Sequence, residues 1–489
     1  MKSRSVRVWA IKTNVSPTTK KRSYTVRWKV AGQEKSATFA GRALADNYRS
    51  DLMQAIKVGE EFDVDTGLPD SMRPAESSGP TWLEFVERYV AMKWPDAAAK
   101  SRVSMVEALI TVTPALVRAE GGGVPDEQLL RRALQRHLIP GQSSGIGDGE
   151  ADALEWLRAA SVPLASLSDA QVVRAGLDAV GRLMDGSAAA ATTRRRKRAV
   201  FYNVLEYAIE LELLTHNPVD RLRVRSRRAK VVEVVDRRVV ASPRQARELL
   251  TAVTYVGRRD GERGERLRGF FACMYYGALR PGEAVALRES DCLLPATCED
   301  CRADLTIISR QVPVTGCEHR RLAYSWGRLT LERNRPEVGR AWTDSGDVHD
   351  DRGLKHRGDD EPRMVPIPPE LVEILREHLR RFGTARDGRL FQSPNGKVVG
   401  TTTYARVWSQ ARHLALIPAR VVSVLAGRPY DLRHAAVSLW LNAGVPAPEV
   451  AERAGHSVEV LLKVYAKCID GQEETINRRI EQALRSEPA

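Results

Sequence analysis

The sequence predicts a multidomain, mainly α-helical protein with small β-sheets: a small N-terminal α+β domain, a helical domain, and a final mixed α/β domain. Three observations lead there. The chain has 489 residues, too many for one hydrophobic core. Short runs of strand type open the chain and return only as brief segments after residue 320. Most of what lies between follows the helical period, interrupted by loop-like stretches.

Each element has its own reason. "VRVWAIK", "SYTVRWKVAG" and "KSATFAG" read as strands, and "RALADNYRSDLMQAIKVG" as the helix that covers them. Val26, Trp28 and Val30 alternate with charged neighbours, which places them on one buried face of a twisted sheet. A small basic sheet of this kind suits a DNA groove, and an accessory domain equally well. "LPDSMRPAESSGP" at 68–80 is a linker by composition. Beyond it Trp82, Phe85, Val86, Tyr89 and Val90 share one helical face. Helical stretches continue to about residue 214, broken by "GQSSGIGDGE" and "DGSAAAA". The last starts beside the basic "TTRRRKR", turns Phe201, Val204, Leu205 and Ala208 inward, and stops at "NP" because proline cannot continue a helix. The basic run is either a solvated face or a phosphate contact. "RLRVRSRRAKVVEVVDRR" at 221–238 connects to the third region without helical period and could track a DNA backbone.

Formal net charge is +14, with 76 Lys and Arg against 62 Asp and Glu. That balance favours a polyanionic partner, most often nucleic acid. Six cysteines in so long a chain are no disulfide framework. No apolar run is long enough to span a membrane and the N-terminus lacks a secretory apolar core. A cytoplasmic location, in a reducing compartment, is expected.

The third region carries the chemistry. In "FFACMYYGALRPGEAVALRESD" one helix closes at Gly277 and the next opens with Pro281, so Arg280 is held at a junction, with Glu283 placed to orient its guanidinium. "WGRLTLE" and "RMVPIP" are strand candidates, with Lys355 on the connection between them. In "PYDLRHAAVSLWLNAGVPAPEVAERAGHSVEVLLKVYAKCIDG", Leu432, Ala436, Leu439, Trp440 and Ala443 are expected to form one apolar helical face closed by Gly444. Tyr430, Arg433 and His434 then fall in or near the first turn, where backbone amides favour an anion. A short second helix with Pro448 ends at Gly455, and Ser457 caps a third that contains Tyr465, leaving His456 in the turn before it.

Two arginines, a histidine and a tyrosine gathered at helix starts are what phosphoryl transfer to tyrosine needs. Paired guanidinium groups can hold the non-bridging oxygens and neutralise the charge of the transition state. A phenol has a pKa near 10, so only about one part in a thousand is ionised at neutral pH and attack needs a base or a cationic surround. The leaving 5′ hydroxyl needs a proton, which a lysine could donate. With arginines doing the electrostatic work, no cofactor or metal is expected in catalysis.

These residues resemble the catalytic domain of the tyrosine recombinases, the phage integrase family, and especially integrases of actinobacterial phages and mobile elements. The matching segments are "YYGALRPGEAVAL", "LKHRGDDEPRMVPIP", "YDLRHAAVSLWL", "AGHS" and "VLLKVYAKCIDG", in the family's order. The likeness is strong over 236–480, present in the helical region at 80–220, and weaker over 1–60. It implies an arm-type DNA-binding domain at 1–67, a core-binding domain at 78–222 and a catalytic domain at 236–489. It further implies catalytic roles for Arg280, Lys355, Tyr430, Arg433, His456 and Tyr465, with Glu283 orienting. Tyr465 would be the nucleophile, Lys355 the general acid, and Arg280 and Arg433 the phosphate clamp. One position departs: where the family has His-x-x-Arg, this chain has Tyr430-Asp-Leu-Arg433, and a phenol is a poor proton acceptor.

The resemblance implies double-stranded DNA attachment sites as substrate, a homotetramer on paired sites, a directionality factor as a further partner, and a 3′-phosphotyrosyl intermediate. Its C-terminal helix, "EETINRRIEQAL" here, would dock on a neighbour or lie on the surface. Two alternatives stand beside it: a catalytically decayed DNA-binding protein and a type IB topoisomerase-like enzyme. Between the first arginine and the strands lies a cysteine-rich insertion. Cys298, Cys301, Cys317 and His319 have the types and loop length of a structural zinc site, with Cys292 as a spare ligand. The C-x-H second half departs from the usual pair of cysteines, and free thiols are the other reading.

Overall fold

The computed structural model describes residues 2–15, 22–39, 41–69, 71–72, 79–118, 123–183, 186–222, 234–257, 262–295, 326–355, 357–358, 361–468, 477–478, 481 and 484–485. The protein is mostly helical with small antiparallel sheets and divides into two compact units, Met1–Val224 and Arg225–Ala489. Among the described residues no helix is long and apolar enough to cross a membrane.

Among the described residues of the first unit two hydrophobic clusters can be followed. At its N-terminus the long strand Arg22–Val30 pairs along one edge with Val6–Val8 and then Lys12–Val15, and along the other with Gln33–Phe39. The period of two puts Val26, Trp28 and Val30 on one face, all at most 3% exposed, against Leu52 of the helix Arg42–Lys57. Phe62 closes that core. The second core belongs to a set of helices beginning with Trp82–Lys93. Thr81 caps that helix reciprocally: its hydroxyl accepts from the Glu84 amide, and the Glu84 carboxylate accepts from the Thr81 amide. The basic run opens the helix Ala191–Glu210, where Lys197 donates to Thr111 and Arg196 pairs with Glu107. Part of the run is therefore tied to the helix Ala99–Val112. Residues 223–233 of the basic connector lie outside the described residues.

The second unit builds one large core around the helix Glu265–Tyr276, whose Phe270, Phe271 and Met274 are fully buried. A three-stranded antiparallel sheet packs on it, in the order Arg363–Ile367, Gly327–Leu331, Cys292–Leu293. A smaller cluster joins the helices Asp431–Asn442, Ala447–Ala454 and Val458–Tyr465. Here the expected helical face needs correcting. Leu432 and Ala436 are buried, but Leu439 is 36% exposed and Ala443 is exposed. The helix lies between both clusters, so Val437 and Leu441 turn inward as well.

Candidate active site

The site begins at the end of the helix Glu265–Tyr276. Gly277 caps it, and Ala278 follows at φ +51°, a conformation that costs an L-residue about 1–3 kcal/mol. The kink delivers an extended Arg280 directly before the helix Pro281–Ala286. One turn later Glu283, 1% exposed, accepts from the Arg280 amide at 2.7 Å and from Arg280 Nη1 at 2.6 Å. Arg280 Nη2 donates to the Gly455 carbonyl at 2.7 Å. The guanidinium is thus fixed at two ends.

Arg363, first residue of its strand, completes this arrangement. Its Nη1 and Nη2 donate to the two Glu283 oxygens at 2.9 and 2.6 Å, a bidentate pair buried to 1% on both sides. Burial alone would raise the Glu283 carboxyl; Arg363, Arg280 and Arg433 outweigh it and hold it at about 2. Gly455, at φ +64°, is where two of these groups pass: an added Cβ would lie 2.4 Å from Arg363 Nη1 and 3.3 Å from Arg280 Nη1.

Arg433, in the first turn of Asp431–Asn442, is 0% exposed. It donates to the carbonyls of Ala278 and Ala454, and through Nη2 to His456 Nε2 at 2.8 Å. None of these hydrogen bonds goes to a carboxylate. Burial, then the charge of Arg280, pushes its pKa down. An arginine can only donate, so His456 Nε2 is the acceptor and the imidazole proton sits on Nδ1. Burial followed by Arg433, Arg280 and Arg363 holds His456 at about 3, which keeps it neutral. Among the described residues Arg433 Nε and His456 Nδ1 have no hydrogen-bond partner.

Tyr465 ends its helix fully buried, against Ala278, Val437 and Leu461. The Ser457 hydroxyl caps that helix by accepting from the Val460 amide. At its other end the Val464 carbonyl accepts from the amide of Val235. The Tyr465 ring lies near two imidazoles, His456 at 6.1 Å nearly parallel and His434 at 5.7 Å tilted. Its hydroxyl is 2.9 Å from His434 Nδ1. Burial raises the phenol above its ordinary value, and Arg433 and Arg280 oppose this only in part. Tyr430 stands directly before the helix Asp431–Asn442, its ring 5.1 Å from His434, and its phenol acts on Arg280.

The structure thus gathers Arg280, Glu283, Tyr430, Arg433, His456 and Tyr465. It adds Arg363, which the sequence did not single out, and it gives His434, placed by the sequence in the first turn without a role of its own, a contact to the Tyr465 hydroxyl. Arg363 had a signal: it shares the buried face of its strand with Val365 and Ile367, where a charge needs a partner. Lys355 stands exposed on the connection between strands, two residues past Gly353, and among the described residues makes no hydrogen bond to the cluster. Cys298, Cys301, Cys317 and His319 fall outside the described residues. Cys292 is buried in the main core, its thiol donating to the Arg288 carbonyl. Most of "EETINRRIEQAL" also lies outside the described residues.

Three guanidinium groups surround a single carboxylate, and the most buried of them has no anionic hydrogen-bond partner. Such a site has charge left for an anion, with a hydroxyl and two neutral imidazoles beside it.

No family model matches the sequence. An integrase of Streptomyces ambofaciens is 31% identical over 132 residues, 24% of this chain and 33% of that protein. The virulence plasmid integrase pGP8-D of Chlamydia muridarum is 28% identical over 114 residues, 23% of this chain and 32% of its own. The match therefore spans about a third of the length of these curated relatives. Among solved structures, the Tn1549 transposon integrase (residues 82–397) in complex with circular intermediate DNA has 15% identity and a TM-score of 0.44, covering 77% of this chain and 99% of that one. The chain is similar to integrases.

Proposed function

We propose that this protein is a tyrosine-type site-specific DNA recombinase, an integrase that cleaves and rejoins DNA through a 3′-phosphotyrosyl intermediate. One observation carries this reading: a fully buried Arg433 without a carboxylate in its hydrogen bonds, beside a neutral His456 and a Tyr465 hydroxyl already hydrogen-bonded to an imidazole. A buried charge of that kind is costly unless an anion arrives to use it. The scissile phosphodiester is that anion. Arg280 and Arg433 hold its non-bridging oxygens, and His456 Nδ1–H donates to it. Tyr465 Oη forms the bond to phosphorus. The P–O5′ bond breaks, and O5′ leaves with a proton from Lys355. The phosphotyrosyl bond retains the energy of the broken phosphodiester, so attack by a new 5′ hydroxyl reverses the step without ATP.

The rest of the reading is proposed with it. Residues 1–67 bind arm-type DNA, 78–222 the core site, and 236–489 perform the chemistry. Four protomers act on two attachment sites in the cytoplasm, at the nucleoid, with a directionality factor choosing between integration and excision. Catalysis uses no cofactor, and Cys298, Cys301, Cys317 and His319 hold a structural zinc ion. The test uses labelled DNA flanking this protein's gene, incubated with wild type and with Tyr465→Phe without added metal, then denatured. Protein-linked DNA with wild type alone supports the reading. Binding by both proteins with no adduct, even on nicked DNA that traps cleavage, leaves a decayed DNA-binding protein instead. Relaxation of supercoils without strand exchange between duplexes marks the topoisomerase-like alternative.

A further inference from the structure

We propose that His434, and not Tyr430, is the base that takes the proton from the Tyr465 hydroxyl. This rests on the recombinase reading and deepens it: the position where the resemblance expects a base holds a phenol, so the proton needs another destination.

The geometry supplies one. The Tyr465 hydroxyl hydrogen-bonds His434 Nδ1 at 2.9 Å, already within the distance for direct transfer. The other candidates fail on chemistry. His456 Nε2 accepts from Arg433, so its remaining nitrogen carries the proton and cannot receive a second one without forming a cation among three arginines. Tyr430 is itself a phenol and gains nothing as an acceptor from another phenol. His434 stands one helical turn beyond Tyr430, on the same helix face, with the two rings edge to face at 5.1 Å. Tyr430 thereby becomes a positioning residue that braces the imidazole and leans on Arg280.

The groups facing His434 are Arg433, Arg428 and Tyr430 from its own helix and the turn before it, Tyr465 from the helix Val458–Tyr465, and His456 from the turn ahead of that. Burial, then Arg433 and Arg428, holds it at about 4, so at neutral pH it is unprotonated and able to accept. A phosphodiester bound by the arginines brings negative charge to the site and favours the imidazolium that forms. In the step, the Oη–H bond breaks and its proton passes to His434 Nδ1. The oxygen's electron pair forms Oη–P, and the P–O5′ electrons leave on O5′, protonated by Lys355. In rejoining, His434 returns the proton to Tyr465.

The experiment is single-turnover formation of the covalent adduct on a duplex bearing the flanking site, with full-length wild type, His434→Ala, His434→Asn and Lys355→Ala. DNA binding measured in parallel confirms that each variant is folded. His434→Ala is expected to cleave about 100- to 10,000-fold more slowly at pH 7. The deficit shrinks as pH rises, and added imidazole restores part of the rate. A substrate with sulfur in place of the bridging O5′, whose thiolate leaves without a proton, rescues Lys355→Ala and not His434→Ala. A purely structural role for His434 would alter binding or stability without the imidazole rescue or this split. Wild-type rates and pH profile in either folded His434 variant overturn the assignment while leaving the recombinase reading intact. No adduct with wild type overturns both.

Discussion

Replacing Arg363 with methionine should reveal how much of the site's stability resides in one buried ion pair. Arg363 and Glu283 are each 1% exposed and joined by two hydrogen bonds of 2.9 and 2.6 Å. Methionine fills much of the volume but leaves the carboxylate with Arg280 alone. Removing one partner of a buried pair costs about 3–5 kcal/mol, because the other charge stays desolvated. The carboxyl gives a second measure. It is held at about 2, against an ordinary 4.5, and at roughly 1.4 kcal/mol per unit that is about 3 kcal/mol at neutral pH. The sign follows from the depression: this stability is present above the unfolded value near 4.5 and is lost as pH falls toward 2. Urea denaturation at pH 7.5 reads the difference as a lowered midpoint with unchanged slope. The double variant Arg363→Met with Glu283→Leu should recover most of the stability, since an apolar replacement for a buried pair is often neutral. It should not recover DNA cleavage, because Arg280 has lost the carboxylate that orients it. A single-variant loss below about 1 kcal/mol, the range of an exposed pair, would refute the buried-charge argument.

Other changes probe the same construction. Gly455→Ala sets a Cβ against Arg363 and Arg280 at a left-handed backbone position; it should cost about 1–2 kcal/mol from the backbone alone and slow adduct formation, and normal cleavage would sink the close-approach argument. His434, His456 and the buried His378 are held at about 4, 3 and 4, below the ordinary 6.5. Unfolded chains bind these protons first, so stability is complete above pH 6.5 and falls below it, by up to about 1.4 kcal/mol per pH unit for each histidine. An unchanged urea midpoint between pH 7.5 and 5 would contradict it. Thr81→Ala removes a reciprocal cap and should destabilise by about 1 kcal/mol, read as a shift in thermal midpoint. Purified protein should carry zinc by elemental analysis, and Cys301→Ser should lose it; zinc-free wild type would leave the cysteines as free thiols.

Local signals made much of the fold legible. Val26, Trp28 and Val30 alternate as a half-buried strand must, and they line the N-terminal core. Gly277 before Arg280 and Pro281, and Ser457 before the helix Val458–Tyr465, mark junctions by backbone chemistry that acts over a few residues. What periodicity could not settle is which faces of a helix meet a neighbour when it has neighbours on two sides. Leu439 and Ala443 belonged to a plausible stripe, but the helix Asp431–Asn442 packs between two clusters and a broader face is buried.

The contact between His434 and the Tyr465 hydroxyl was hidden for a related reason. A pattern read along the chain assigns one role to one position, and at Tyr430 the expected residue type is missing. In space the requirement is looser. On a helix, residues one turn apart stand on the same face, so an imidazole at 434 can serve a hydroxyl that a side chain at 430 would otherwise face. Whether it does depends on where the Val458–Tyr465 helix docks. That docking is set by contacts far away in sequence, among them Ala278, Val437 and the Val235–Val464 backbone hydrogen bond. A histidine directly after a buried arginine shows no periodic signal of its own. Only the packed helices bring its Nδ1 to 2.9 Å from the Tyr465 hydroxyl. The arginines are visible in the sequence as a motif, and the pairing of His434 with Tyr465 is visible only as a contact.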